Sequence, residues 1–437
     1  MSGLPEGAGQ VTAPMHEWER FPKAPEHLTG VELGDDAATQ DLLRRLSGSG
    51  RLVVSDLRRG VVVDSRSYVG RVTIGNLEVT IQPKLAPGPL LRLLRYAYRL
   101  GNLELFELSD FDTSALAFQD LLICQLAAEM DALRSRGLRR EYTRRDADLG
   151  SPRGRLDIGR LAREGGVRNA SLPCTYFERR EDTPLNRTLL AGVRHARGLT
   201  EETSVRARLG RAAAEMAEGV TEVRLTDGLL RAARRARNRL SAAYVPALTL
   251  IELLHAGDGI SLEDGAERLP LRGFLFDMNR FFQALLSTFL RENLPGRTLQ
   301  DEYTLRGVMA YDRRHNPRGR PDPTPRPDYV VRRGTRVEAV LDAKYRDSWE
   351  TEPPAAWLYQ LAVYALAPEA SGRAAILYPT THPDATEACV EVRDPAGGNL
   401  RARVALRPVR LDLMAELVAP GSPRHLRSAF AAALVGG

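Results

Sequence analysis

Cysteine, histidine and long apolar runs are all scarce in this sequence of 437 residues. The three cysteines, Cys124, Cys174 and Cys389, are odd in number and widely separated, which argues against a disulfide framework and fits a reducing compartment. The seven histidines show no paired ligand spacing, so a zinc enzyme is not expected. Neither an apolar run of about 18 residues nor a signal-peptide pattern is present. We therefore expect a cytoplasmic protein that contacts no membrane.

Lysine is also scarce, because only Lys23, Lys84 and Lys344 occur among 62 basic residues. The formal charge of +6 and the pI near 9.3 permit an anionic partner such as nucleic acid. A lysine in a chain so rich in arginine suggests a role that a guanidinium cannot fill, since lysine can shift its pKa and arginine stays protonated. The length and the 43% apolar fraction predict two or three globular domains.

Residues 326–345 predict a β-hairpin, because two β-rich runs flank a loop of about three residues. If Arg332 pairs with Arg336, Asp328 and Asp342 lie on one face, a diagonal step of roughly 7 Å apart. Two carboxylates then converge at one end of the hairpin.

The alternation of side chains along the two runs supports that register. Even positions carry Asp328, which would lie opposite Val340, together with Asp342 and Lys344. The odd positions are almost wholly apolar: Tyr329, Val331, Val337, Ala339, Leu341 and Ala343. We therefore expect one buried face and one solvent-facing face that holds the chemistry.

Paired carboxylates on a rigid sheet suit a hard divalent cation such as Mg²⁺. Lys344 would orient or deprotonate an attacking water, or neutralise charge on a phosphate. The alternative interpretation of a bare Asp-x-Lys is a solvated strand end. The upstream Pro327-Asp328, the shared parity with Asp342 and the rarity of lysine together favour the catalytic interpretation.

Pro327-Asp328 followed by Asp342-Ala-Lys344 resembles the signature of PD-(D/E)XK nucleases. The wider sequence resembles McrC, the nuclease subunit of modification-dependent restriction systems, over most of residues 60–380. The stretches that carry this resemblance are residues 75–84, 137–142, 153–155, 182–186, 274–280, 326–328, 341–345, 359–364 and 377–379.

The patterns and the resemblance together predict an α+β multidomain protein. Its parts are a loose segment at residues 1–27, a β-rich N-terminal domain at 28–110, a helical, Arg-rich, partner-binding connector at 111–265, and a PD-(D/E)XK restriction-endonuclease-like α/β core at 266–437.

The resemblance implies magnesium-dependent phosphodiester hydrolysis in double-stranded DNA, directed to modified cytosine by a McrB-like AAA+ GTPase ring. In this interpretation Asp328 and Asp342 hold Mg²⁺ and Lys344 positions water. Gln360 and Tyr364, one helical turn apart, assist. The sequence has no Walker A loop, so nucleotide hydrolysis belongs to the partner. The competing interpretation is a non-catalytic subunit that caps and stimulates the partner ring.

One position departs from the family pattern, because Gln283 stands where McrC-like sequences usually have Glu. A neutral amide is a weaker cation ligand than a carboxylate. Asp277 on the same predicted helix, or Glu302 on the following run, would supply the missing charge. Asp277 fits a structural hydrogen-bonding role equally well.

Two groups of arginines are candidate contact residues. Arg318, Arg320 and Arg326 lie in a Pro-rich loop before the first catalytic strand and would contact the DNA backbone; a disordered insertion is the alternative. A second, Arg-dense segment matches the family well, and we expect it to contact the partner ahead of DNA, although a solvated surface explains it equally. Its candidate residues are Arg139, Arg140, Arg153 and Arg155.

Overall fold

The computed structural model describes residues 9–100, 118–167, 170–257, 259–261, 268–270 and 273–436. The chain divides into two compact units. Unit 1 joins Met1–Phe118 with Gly257–Gly437, and unit 2 is Gln119–Ala256. The predicted domain limits near residues 110 and 265 fall outside the described residues.

Unit 1 contains the first eight elements and those that follow unit 2. The first eight are β1 (Val11–His16), β2 (Arg20–Phe21), α1 (Ala37–Gly48), β3 (Leu52–Leu57), β4 (Gly60–Ser65), β5 (Tyr68–Ile74), β6 (Leu77–Gln82) and α2 (Pro87–Tyr98). The later ones are β10 (Gly259–Ser261), β11 (Arg268–Pro270), β12 (Gly273–Asp277), α9 (Met278–Asn293), β13 (Thr298–Asp301), β14 (Tyr329–Arg333), β15 (Arg336–Ala343), α10 (Ala355–Ala365), β16 (Arg373–Thr380), β17 (Ala388–Arg393), β18 (Leu400–Arg410), α11 (Leu411–Leu417) and α12 (Arg424–Val435).

The elements of unit 2, with α3 starting at the boundary, are mostly helical. They are α3 (Phe118–Arg136), β7 (Glu141–Leu149), β8 (Arg155–Leu156), α4 (Ile158–Arg163), β9 (Leu172–Arg180), α5 (Pro184–Leu199), α6 (Thr203–Ala217), α7 (Asp227–Ala236) and α8 (Val245–Gly257).

The N-terminal residues form part of a sheet, and the prediction of a loose segment at 1–27 is wrong for its described part. β1 pairs in parallel with β6, and Ala13 and Met15 are buried. Because proline is rare within strands, Pro14 kept the sequence pattern from predicting β1. The proline is tolerated because β1 is the edge strand of the sheet β1-β6-β5-β12, where one side of the backbone needs no partner.

The same sheet crosses the predicted boundary between the N-terminal domain and the nuclease core. Its fourth strand is β12, which pairs antiparallel with β5. The pairing needs glycine, because a Cβ on Gly70 would lie 2.1 Å from the Phe274 carbonyl oxygen, and one on Gly273 would lie 2.1 Å from that of Arg71. Residues 28–110 and 266–437 therefore share a sheet within unit 1.

A six-stranded sheet with the order β13-β14-β15-β16-β18-β17 forms the C-terminal part of unit 1. Along the chain, α9 precedes three antiparallel strands, β13 to β15, and α10 then crosses to β16, which is parallel to β15. This connection places β15 between β14 and β16, in the interior of the sheet.

The hairpin of β14 and β15 exists, but its predicted register is wrong. Arg336 pairs with Arg333 instead of Arg332, so the turn has two residues and begins at Gly334 with φ +57°. A register shift between Val331 and Arg332 then moves the rest of the ladder by one residue. Such a bulge is not visible in the alternation of residue types.

The corrected register brings the two acids closer along the ladder than predicted. Val340 pairs with Val330 and Leu341 with Tyr329, and the same register continued by one more residue sets Asp328 opposite Asp342. The prediction of one solvent-facing side is also wrong, because Val330 and Val340 are fully buried in the cluster that α10 covers. Asp342 is 2% exposed, since its strand is internal and covered by helices.

In unit 2, residues 182–186 stabilise the start of α5 through side-chain hydrogen bonds. Asp182 forms two hydrogen bonds of 2.6 Å with the Arg187 guanidinium and accepts another from the Thr221 backbone. The buried Asn186 amide donates to the carbonyls of Arg139 and Glu181. This motif therefore has a structural function within unit 2.

One helical stretch in the described residues, Arg239–Gly257, is long and apolar enough to cross a membrane by length and composition. Half of its apolar window is buried within the protein, and Ile251 packs against Gly192 of α5. A core helix passes the same test, and the packing against α5 explains its apolar composition.

Candidate functional site

Asp328 lies immediately before β14, and its carboxylate is held by two donors. Oδ2 accepts a hydrogen bond of 2.7 Å from the Ala343 backbone N–H, which fixes the acid to the neighbouring strand. Oδ1 accepts a bond of 3.1 Å from the Gln283 side-chain amide on α9. The Asp328 carboxylate therefore points to the end of β15, where Asp342 lies.

Asp342 is the most buried of the candidate acids and faces Lys344. The Lys344 Nζ lies 2.6 Å from Asp342 Oδ2, so the two side chains form a close ion pair. The Lys344 ammonium also lies 5.8 Å from the ring centroid of Trp357, a cation–π contact that the sequence did not predict.

Burial raises the pKa of Asp328 to about 6, and the negative charge of Asp342 adds to that effect. Burial likewise raises the pKa of Asp342, although the Lys344 ammonium opposes the shift. Two buried carboxylates with one ammonium have a surplus of negative charge. A bound cation would remove that surplus, and protonation of one acid is the alternative.

Gln283 fills a different role from that of an acidic ligand. Its amide donates to Asp328, while its backbone carbonyl accepts from the Tyr329 hydroxyl at 2.7 Å. Through this one residue, the helix α9 therefore holds the start of β14 with both a side chain and a backbone carbonyl. An amide donor also stabilises the ionised form of Asp328.

Asp277 has the contacts of a structural residue. It is the N-cap of α9, where Oδ1 accepts from the backbone N–H groups of Asn279 and Arg280, and Oδ2 accepts from the Tyr68 hydroxyl. Both oxygens are thus used by the cap and by the N-terminal sheet. Glu302, the other candidate, is exposed and donates its backbone N–H to the Asp328 carbonyl.

Gln360 and Tyr364 form a chain of hydrogen bonds toward the loop before Asp328. The Gln360 amide donates to the Tyr364 hydroxyl at 2.6 Å, and that hydroxyl donates to the Arg326 carbonyl at 3.0 Å. Burial raises the pKa of Tyr364 to about 12, with the charge of Asp342 adding to it, so the phenol stays protonated. Their observed contacts position the backbone beside the acids.

The donor set fits a hard divalent cation. Within the described part of the chain, Asp342 Oδ2 contacts the Lys344 ammonium and each Asp328 oxygen accepts one hydrogen bond, which leaves lone pairs on both carboxylates for a cation. Carboxylate oxygens are the ligands that Mg²⁺ prefers. Asp328 and Asp342 are the residues that would hold it.

A second group of possible ligands stands near the end of the same sheet. Asp347, Glu350 and His382 each place one ligand atom within 4.8 Å of the others. Glu350 already accepts from Lys84 Nζ at 3.0 Å and lies 3.0 Å from His382 Nε2. These contacts lower the pKa of Glu350, with His382 the larger cause, so the observed arrangement is an ion-pair network.

The loop that carries the predicted DNA-contacting arginines is ordered by its own hydrogen bonds. Asn316 exchanges two bonds with the Arg320 backbone, at 2.8 and 2.9 Å, and Leu305 donates to the Pro325 carbonyl. Arg318, Arg320 and Arg326 are exposed. These bonds link both ends of the segment that carries the three arginines to other residues of the loop.

The four arginines predicted to bind the partner differ in the contacts that their side chains already make within unit 2. Arg139 pairs with Glu141 and donates to Asn238, and Arg140 pairs with Glu181. The Arg153 guanidinium covers the Tyr176 ring at 4.5 Å. Arg155 is an exposed residue of β8. Three of the four thus have partners within unit 2.

The exposed surface of the sheet β7-β9-β8 carries aromatic residues that the sequence analysis missed. Tyr142 is 71% exposed and Phe177 is 62% exposed. The register pairs Tyr142 with Arg179 and Arg144 with Phe177, so the four side chains alternate on one face. Aromatic residues interleaved with arginine in a strand pattern were the available signal. We call these four residues the ribbon face.

The comparisons with known proteins agree with this architecture. A family model described as McrBC 5-methylcytosine restriction system component matches residues 63–379. A chain from the refined half-complex of the tetradecameric assembly of Thermococcus gammatolerans McrB AAA+ hexamers with bound McrC is similar over 98% of this chain and 100% of that chain, with 22% identity and a TM-score of 0.62. A chain from the cryo-EM structure of the Thermococcus gammatolerans McrBC complex is similar over 65% and 88% respectively, with 22% identity and a TM-score of 0.47. No curated protein matches at a significant level.

The match of the family model to residues 63–379 shows that the chain is a component of a restriction system. More particularly, the chain belongs to the family of McrBC 5-methylcytosine restriction system components, because the match at residues 63–379 covers well over half of it.

Replacing Gln283 with Glu tests the charge balance of the site. The variant loses the amide donor to Asp328 and adds a third carboxylate. We expect it to be less stable than the wild type by about 1–3 kcal/mol in EDTA. Millimolar Mg²⁺ should raise its melting temperature more than that of the wild type, as measured by calorimetry.

Gln283→Leu is the matched control, because it removes the same donor without adding charge. It should lose stability in EDTA and gain nothing extra from Mg²⁺. An equal response of all three proteins to Mg²⁺ would contradict the assignment of the acid pair as a cation site.

Proposed function

We propose that this chain is the endonuclease subunit of a McrBC-like restriction system and hydrolyses phosphodiester bonds of double-stranded DNA with Mg²⁺. The observation that carries the proposal is the convergence of the partly buried Asp328 and the buried Asp342 beside the Lys344 ammonium. That combination places two hard oxygen ligands next to an amine, as metal-assisted hydrolysis requires.

The order of elements supports a PD-(D/E)XK nuclease core. The helix α9 precedes the antiparallel strands β13, β14 and β15, and α10 leads to the parallel strand β16. The two acids stand at adjacent ends of β14 and β15, and Lys344 follows β15 directly. This arrangement gathers residues from two strands at one edge of a rigid sheet.

In this mechanism, Asp328 and Asp342 hold the cation and Lys344 orients the attacking water. The bound Mg²⁺ supplies Lewis-acid charge at the scissile phosphate and lowers the pKa of its water. Lys344 is already directed at the metal-holding acid, so it needs little reorganisation to contact a phosphate oxygen or the water. Gln360 and Tyr364 fix the backbone before Asp328.

The proposed partner is a McrB-like AAA+ GTPase ring that selects modified cytosine. The structural relative comes from an assembly of McrB AAA+ hexamers with bound McrC. On this chain the ribbon face supports protein contact, because exposed aromatic residues interleaved with arginines are typical of interface hot spots.

The alternative function, a non-catalytic subunit that caps and stimulates the ring, is favoured by one observation. Gln283 stands beside Asp328 where a third carboxylate would strengthen cation binding. Cleavage assays separate the two functions. Absence of cleavage by the wild type with partner, GTP and Mg²⁺ on modified DNA would favour the alternative.

Substitution of the central residues tests the catalytic assignment. We expect Asp342→Asn and Lys344→Met to lower the cleavage rate at least about 100-fold while the proteins still bind DNA and the partner. Product formation on a gel, with partner and Mg²⁺, is the measurement.

Lys23→Met is the matched control, because Lys23 is another of the three lysines and is exposed. It should cleave as the wild type does. Asp347→Asn tests the second ligand group and should also cleave normally. Loss of cleavage in Asp347→Asn together with activity in Asp342→Asn would move the metal to the other cluster.

The loop that carries Arg318 and Arg320 gives a prediction about how DNA affinity depends on salt. In the Asp342→Asn background, Arg318→Ala with Arg320→Ala should weaken DNA binding and reduce the slope of log affinity against log salt by about 2, because each lost phosphate contact removes about 0.9. Fluorescence anisotropy from low to moderate salt measures both quantities.

Arg58→Ala with Arg59→Ala is the control, since these two arginines are also exposed and adjacent in a turn. Their loss should leave the slope unchanged. An identical slope for the loop variant and its parent would remove Arg318 and Arg320 from the DNA contact.

The ribbon face gives a prediction for partner binding. Tyr142→Ser with Phe177→Ser should weaken association with the McrB-like ring at least about 10-fold, because aromatic anchors dominate interface energies. Sedimentation of mixtures with the ring measures it. Thr143→Ala, on the opposite face of β7, is the control. Unchanged assembly by the double variant would place the partner contact elsewhere.

A further inference from the structure

Two consecutive residues after β1, Glu17 and Trp18, contact the chain just beyond Lys344. The Glu17 Oε1 accepts a hydrogen bond of 3.0 Å from the Tyr345 hydroxyl, although 328 positions separate the two residues. The Trp18 indole N–H donates to the Tyr345 carbonyl at 2.7 Å. Tyr345 is thus held at both its side chain and its backbone by the N-terminal part of unit 1.

The N-terminal part of unit 1 makes further contacts with the chain that follows Lys344. The Arg346 guanidinium lies over the Trp18 ring at 5.4 Å from its centroid, and the Lys84 ammonium binds Glu350. The Lys84 backbone N–H donates to Glu17 Oε1 at 3.0 Å, which fixes the carboxylate to the end of β6. The N-terminal strands therefore hold the segment that follows the candidate catalytic lysine.

Tyr345 also connects this contact to the other side of the site. Its ring packs edge-on against Phe282 of α9, with centroids 5.9 Å apart. Phe282 precedes Gln283, whose amide holds Asp328. The backbone N–H of Lys344 donates a hydrogen bond of 2.9 Å to the Leu377 carbonyl, which fixes it to the neighbouring strand β16. A shift of Tyr345 would therefore disturb the neighbours of both Lys344 and Gln283.

Burial of the Glu17 carboxylate costs free energy that an apolar side chain at this position would not cost. It is 1% exposed, and its Oε2 has no hydrogen-bond partner among the described residues. Burial raises the pKa of Glu17 to about 7, against the lowering effect of the Lys84 backbone donor. An acid kept in so unfavourable a place is a candidate for a functional position.

We propose that Glu17 is a positioning residue of the nuclease site, acting through Tyr345 to fix the strand end that carries Lys344. This inference rests on the proposed endonuclease function. It makes the N-terminal strands part of the catalytic unit, in addition to any contact that they make with a partner.

The test compares Glu17→Ala, Glu17→Gln and Tyr345→Phe in the full chain with its ring partner, at a temperature where thermal melts show each variant folded. Glu17→Ala should lower the single-turnover cleavage rate about 10- to 100-fold, as loss of a supporting partner does, with half-saturation by DNA unchanged. Glu17→Gln keeps an acceptor oxygen and should recover most of the rate. Glu26→Ala, an exposed acid of the same region, is the control.

Two further measurements separate positioning from general stability. If Glu17 acts through Tyr345, Glu17→Ala should reduce the rate less than about twofold further in the Tyr345→Phe background. Hydrogen exchange of residues 341–350 should be faster in Glu17→Ala, while exchange in β18 stays as in the wild type.

The outcomes are distinguishable. Wild-type rates in Glu17→Ala, or unchanged exchange at residues 341–350, would overturn this inference and leave the endonuclease proposal standing. Full additivity of the two substitutions would overturn the route through Tyr345. A wild-type chain that does not cleave at all would overturn the proposed function and the catalytic part of this inference together.

Discussion

The candidate site depends on a buried carboxylate, Asp342, and a partly buried one, Asp328, beside one ammonium at the end of an internal strand. Burial raises the pKa of Asp328 and of Asp342, and Lys344 offsets part of the cost. The strand ends that hold this arrangement must be rigid, because movement of either acid would separate these charges. The hydrogen bond from the Ala343 backbone and the amide of Gln283 supply that rigidity.

Residues from distant parts of the chain surround this cluster. The helix α9 is capped by Asp277, and that cap is bound by Tyr68 of the N-terminal sheet, 209 positions away. The strand end after Lys344 is held by Glu17 and Trp18. The core sheet therefore relies for its alignment on strands that the sequence alone assigned to a different domain. Gly70 and Gly273 allow this dependence, because only glycine permits the two backbones to approach so closely.

Much of the site was predictable from the sequence, because its signal is local. Asp328, Asp342 and Lys344 lie at or next to the ends of two adjacent strands joined by a short turn, and residue types and parity were enough to group them. The register was not predictable, since a bulge after Val331 leaves no trace in the alternation. The burial of both sheet faces was also missed, because it depends on α10 covering the even side. Long-range contacts such as those of Glu17 have no local signature at all.

The division of unit 1 by an inserted unit has a consequence for the newly made protein. Strands β1, β5 and β6 leave the ribosome early, but β12 follows only after the whole of unit 2, and the acids follow later still. Unit 2 is contiguous and can complete its core during synthesis, as domains usually do. The sheet of unit 1 stays incomplete until β12 has been made, and until then the edge of β5 has no partner strand from β12. An unfinished chain thus lacks the final arrangement of Asp328, Asp342 and Lys344, so that the candidate site forms only after most of the chain has been made.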